Sequence, residues 1–109
     1  MARDPGLEQV LREQLRDIPN LSEKAMFGGQ AWLMEGNLLC GARHDGVLIR
    51  LGKGNDAWAL KTAGIEQMIS RGRLMPGWVR VSPMTFGDEK LAGELIDAAI
   101  KFVQTLPPK

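Results

Sequence analysis

Cysteine and histidine occur once each in this chain, as Cys40 and His44, and tyrosine does not occur. A single thiol excludes an internal disulfide, the usual staple of small secreted domains. Cys40, His44 and the neighbouring Asp45 fall short of a protein ligand set for zinc, so no metal is expected. As nucleophile and base the pair is equally poor, because Cys40 lies in an apolar run with Leu38, Leu39 and Gly41, where a thiol is buried and inert. No apolar run approaches a membrane span, and the opening MARDPGLEQV lacks the apolar centre of a signal peptide. A reduced, cytoplasmic setting without membrane contact is therefore expected. Net charge is nearly absent too: 14 Lys and Arg against 13 Asp and Glu leave +1, which gives no global pull toward nucleic acid or anionic lipid.

What is present is the mixture of an ordinary folded domain. Apolar residues make up 44% and charged residues 25% of 109 positions, enough to close one core without cross-links. Residues 1–109 read as one domain, with loose ends expected at 1–3 and 107–109. The chain is organised around residues 26–51, where three short apolar runs are punctuated by Gly28-Gly29, Glu35-Gly36-Asn37 and His44-Asp45-Gly46. Connections this short allow only antiparallel neighbours, because a parallel pair needs a long crossover.

On either side the period becomes helical. Asp4-Pro5 starts a helix whose apolar face is Leu7, Val10, Leu11, Gln14, Leu15 and Ile18, with Arg12, Glu13 and Arg16 on the far side. Residues 22–27 read as an edge strand. Asn55 is placed to cap a short helix through Trp58 and Lys61, closed by Gly64. Residues 65–70 and 77–82 read as two further strands, joined by the connection RGRLMPG and stopped by Pro83. From Gly87 or Asp88 a longer helix presents Leu91, Leu95, Ala98, Ala99, Phe102 and Val103. The expected fold is α+β: an antiparallel meander sheet of about five strands with N- and C-terminal helices packed against it.

Few residues invite chemistry. Gly28-Gly29-Gln30 shares its spelling with a hydrolytic tripeptide of release factors, but between apolar strands it reads as a bulge or a close approach. Gly52-Lys53-Gly54-Asn55 reads as a solvent turn or an anion cradle, without a Walker or dinucleotide pattern. Residues 43–80 hold Arg43, Arg50, Lys53, Lys61, Arg71, Arg73 and Arg80 against Asp45, Asp56 and Glu66, a local net of +4. Within them Arg71, Arg73, Trp78 and Arg80 interleave base and aromatic, as single-strand-binding surfaces do, although a core role for the tryptophans is the plainer reading. Met26 and Met34 read as core, while Met68, Met75 and Met84 are open to either core or contact surface.

The order Lys24-Ala25-Met26-Phe27-Gly28-Gly29, the turns at Gly36 and Gly46, Val47-Leu48-Ile49-Arg50-Leu51-Gly52, Gly72-Arg73 with Met75, Gly77-Trp78-Val79, Val81-Ser82-Pro83 and the closing Leu106-Pro107-Pro108-Lys109 resembles the N-terminal domain of the TfoX/Sxy family. The resemblance spans nearly the whole chain from about residue 4. It implies an antiparallel sheet with both terminal helices packed on it. The family's competence regulators are bacterial coactivators that act with a cyclic-AMP receptor protein, and in them a helical second domain follows this one. The sequence ends at Lys109, so that second domain is expected to be absent. The resemblance supplies no catalytic residue.

Together these readings give a non-enzymatic interaction or regulatory domain, with a protein partner or a homodimer expected. The expected contact surface is Arg71, Arg73, Met75, Trp78 and Arg80. No cofactor and no small-molecule ligand are expected. The alternative is nucleic-acid binding through the basic segment 43–80.

Overall fold

Six antiparallel strands form one sheet in the order β1-β2-β3-β4-β6-β5, where β1 is Leu21–Met26, β2 Gly29–Met34, β3 Asn37–Arg43, β4 Gly46–Arg50, β5 Ile65–Ser70 and β6 Arg73–Val81. The computed structural model describes residues 5–26 and 29–107. The readings placed on Asp4, Phe27, Gly28 and the outermost ends therefore lie outside the described residues. Helices are α1 (Pro5–Gln14), α2 (Ala57–Leu60), α3 (Pro83–Phe86) and α4 (Glu89–Val103). The α+β expectation holds. The sheet has six strands rather than about five, and β1 is the one whose pattern is weakest, with its four central residues exposed.

The first four strands form the expected meander, but the last two do not continue it. β6 folds back between β4 and β5. Burial explains the choice: Val79 and Val81 of β6 are fully buried, as a central strand requires, whereas Glu66 and Ile69 of β5 are exposed, as an edge strand tolerates. β6 also begins four residues earlier than expected, at Arg73, so most of RGRLMPG is strand rather than connection.

Register sorts the side chains into rows across the sheet. Glu23, Trp32, Cys40, Ile49, Val79 and Gln67 share one row, and Ala25, Gln30, Ala42, Val47, Val81 and Ile65 another, both on the face that α1, α3 and α4 cover. Their central members join Leu7, Leu11, Leu39, Phe86, Leu95, Ile96 and Val103 in one core. Between them runs Lys24, Ala31, Gly41, Leu48, Arg80 and Glu66 on the opposite face. That row is small or apolar at its centre and charged at its ends. Ala31 and Leu48 are buried but do not belong to the core cluster on the helix-covered face.

Gly29 answers to close approach: a Cβ there would collide with the Ala42 carbonyl of β3.

Helix ends and faces differ in detail from the periodicity. Arg12 does not face away from the sheet; it donates to both carboxylate oxygens of Glu23 on β1, at 2.8 and 3.1 Å, and stands over the Trp32 ring. Asp56 rather than Asn55 precedes α2, and its side chain makes no cap. Pro83 does not merely stop β6 but opens α3, with Ser82 accepting from the Thr85 amide, and α3 delivers Phe86 to the core. Asp88 caps α4 as its position suggests, accepting from the Lys90 and Leu91 amides. The buried stripe of α4 is Ala92, Leu95, Ile96, Ala99 and Val103, so Leu91, Ala98 and Phe102 are only half-buried along its flank. Near the C-terminus, the Asn37 amide donates to the Pro107 carbonyl at 2.9 Å.

Candidate interaction surface

β5 and β6 form a hairpin closed by Arg71 and Gly72, with φ of 53° and 78°. Positive φ at both central residues is the two-residue turn that matches strand twist. It places Ser70 opposite Arg73 and Ile69 opposite Leu74. Ile69 and Leu74 are 59% and 58% exposed, so two large apolar side chains face each other on the strands and face solvent together. Arg71 and Arg73 flank them, exposed and without an ion pair among the described residues, and Met75 follows half-buried. β5 is the last strand of the sheet, and its outer edge has no strand neighbour among the described residues.

Above this end the ladder is broken. Between the pairs Gln67–Val79 and Ile69–Leu74, only Met68 on β5 faces the stretch 75–78 on β6. The extra residues turn toward β4: the Gly77 carbonyl accepts from the Leu51 and Gly52 amides at 2.7 and 3.1 Å. This ties the irregular part of β6 to the chain leaving β4, a long-range closure that local pattern does not contain.

Trp78 is therefore engaged within the molecule. It sits opposite Arg50 in the β4–β6 register, and the Arg50 guanidinium carbon lies 5.9 Å from the Trp78 ring and 5.5 Å from the Phe102 ring of α4. Arg50 also donates to the Leu38 carbonyl at 3.3 Å. Arg80 is engaged as well. It pairs with Glu66 across the hairpin and lies 3.6 Å from Asp45, which Arg43 grips with two hydrogen bonds of 3.0 and 2.8 Å. Burial pushes the Asp45 carboxyl up, but the hydrogen bond and charge of Arg43, the backbone amide and His44 outweigh it, so the group titrates below its ordinary value.

The five positions singled out from sequence thus separate. Arg71, Arg73 and Met75 gather at the hairpin end, whereas Trp78 and Arg80 brace the sheet. The basic segment separates in the same way, because Arg43 and Arg80 are ion-paired and Arg50 is stacked. Ile69 and Leu74 were not singled out. The signal for them is Arg71-Gly72 read as a two-residue turn, which sets the two opposite each other.

Cys40 is fully buried, and burial pushes its thiol far above the ordinary range. His44 is exposed in the turn before β4. Among the described residues no group of three or more His, Cys, Asp or Glu is arranged to hold a metal ion.

An α+β domain with an open antiparallel sheet and an exposed apolar hairpin end is the class this fold defines. The chain belongs to the TfoX N-terminal domain family, whose model matches residues 13–103. Comparison with curated proteins and with solved structures gave no significant match.

Proposed function

We propose that this TfoX N-terminal domain is a non-enzymatic accessory or regulatory module of the bacterial cytoplasm that works by protein contact. Its contact surface is the end of the β5–β6 hairpin, and the simplest partner is a second copy of the chain. The observation that carries this reading is the exposed cross-strand pair Ile69–Leu74 at the edge of the sheet. Exposed apolar side chains at an unpaired strand edge favour strand addition or side-chain docking by another chain. Arg71 and Arg73 beside them select an acidic or carbonyl-rich surface over another basic one. Family membership supports a regulatory role of the kind held by competence regulators.

Light scattering on size-exclusion fractions, over a range of concentrations, compares the native chain with Leu74→Asp. Concentration-dependent association that disappears in the variant, together with partners from lysate that only the native chain retains, is the expected result. A native chain that is monomeric throughout and retains the same proteins as the variant sinks the reading.

A further inference from the structure

A second surface lies between α2 and α4, away from the hairpin end. An open groove of about 830 Å³ is lined by Trp58 and Lys61 from the α2 side, by Ala98, Lys101, Phe102 and Thr105 along one flank of α4, and by Leu51, Gly54 and Asn55 from the chain between β4 and α2. α2 is anchored only by Ala59, which is buried, and Leu60, which is half-buried. Trp58 consequently stands 40% exposed on a four-residue helix and forms a wall of the groove. Phe102 is backed by the Arg50 guanidinium 5.5 Å from its ring, so a third positive charge stands close to the groove.

The lining has a definite chemistry. It offers two aromatic rings and two lysines, and it contains no carboxylate; Asp56 and Asp97, the acidic neighbours in sequence, do not line it. Neither Lys61 nor Lys101 has an ion-pair partner among the described residues. An apolar peptide would make no use of the two exposed ammonium groups, and a simple anion would make no use of Trp58. A planar ring carrying a phosphate uses both: the ring stacks on the indole, and the phosphate lies between the lysines. The Asn55 side-chain amide, which makes no hydrogen bond within the described residues, supplies a donor and an acceptor for the ring edge. The volume of about 830 Å³ also falls within the roughly 300–1,000 Å³ of small-ligand sites.

We infer that this groove is a nucleotide-binding site, with the base on Trp58 and the phosphate held by Lys61 and Lys101. The site is separate from the hairpin end and does not depend on its role.

The test titrates the full chain with AMP, with inorganic phosphate and with a single-stranded hexadeoxyadenylate, followed by calorimetry and by tryptophan fluorescence. The expected result is saturable AMP binding with quenching of Trp58, and phosphate binding weaker by about tenfold or more. Trp58→Ala, Lys61→Ala and Lys101→Ala each weaken AMP by on the order of tenfold, with melting curves close to native because all three side chains are exposed. If the hexadeoxyadenylate binds more tightly than AMP with the same loss in Trp58→Ala, the site takes the nucleotide from a single strand. If it binds no more tightly, the site takes the free nucleotide. Absence of saturable AMP and oligonucleotide binding into the millimolar range overturns the inference. So does phosphate binding as tight as AMP, or AMP binding unchanged in Trp58→Ala.

Discussion

Ile69 and Leu74 face each other across the β5–β6 hairpin and are each more than half exposed. A cross-strand pair in that position adds only about 0.2–1 kcal/mol to the fold. Replacing both by Thr is therefore expected to lower unfolding stability by less than about 1 kcal/mol, since Thr has the β-branched shape that strands favour. Urea denaturation checks this. Loss of association at unchanged stability locates the contact at the hairpin end, whereas loss of both assigns the pair to the fold.

Gly52 and Gly54 give a second comparison. Both have positive φ, 97° and 86°, but a Cβ on Gly52 would run into the Phe102 ring, while one on Gly54 meets open space. Gly54→Ala is expected to cost about 1 kcal/mol, the penalty of a side chain in left-handed backbone. Gly52→Ala adds the displacement of Phe102, for a total of about 2–3 kcal/mol. Denaturation midpoints separate the two, and equal losses would show that Phe102 does not hold the position seen.

Arg50 between Trp78 and Phe102 gives a third. Arg50→Ala removes two ring contacts and the hydrogen bond to the Leu38 carbonyl, and is expected to cost about 1–2 kcal/mol. Arg50→Lys restores the charge but not the planar stack, so it should recover only part of the loss. Near-ultraviolet circular dichroism should change in both variants. Recovery of native stability by Lys would assign the effect to charge alone.

Acid sensitivity follows from Glu23 and Asp45. The Arg12 hydrogen bond holds Glu23 below its ordinary 4.5, and the Arg43 interactions, against burial, hold Asp45 below its ordinary 3.8. Depressed carboxylates stabilise the folded chain fully above those ordinary values, and the contribution is lost as the pH falls through the lower folded values. Melting temperature should accordingly be level from pH 7 to about 5 and fall below about 4.5. Asp45→Asn should lower the plateau and make the acid decline shallower. An unaltered decline would mean that Asp45 takes no part in it.

Much of the fold is legible in sequence because its determinants are local. Glu35-Gly36 supplies positive φ at both residues of a tight turn, Asp88 caps α4, and the apolar spacing of α1 and α4 marks the helices. The hairpin end was only half legible. Arg71, Arg73 and Met75 are there, but Ile69 and Leu74 emerge only once β6 is carried back to Arg73 and the register is set. Arginine at the first turn position is a weaker hairpin signal than Asn-Gly.

By itself the sequence determined a small α+β domain of the TfoX N-terminal kind, with the meander of residues 26–51 at its centre. Its turn residues, caps and alternation act between neighbours a few positions apart. Tertiary structure alone decided that β6 lies between β4 and β5, because burying Val79 and Val81 outweighs chain order. It likewise decided how Arg50 and Arg80 are engaged, since they find rings and a carboxylate on other strands and on α4, whereas Arg43 pairs with Asp45 two residues away. The groove that joins Trp58 and Lys61 to Lys101 is also its work: Lys101 lies forty or more positions from the other two, and only the packing of α4 on the sheet brings them to one surface.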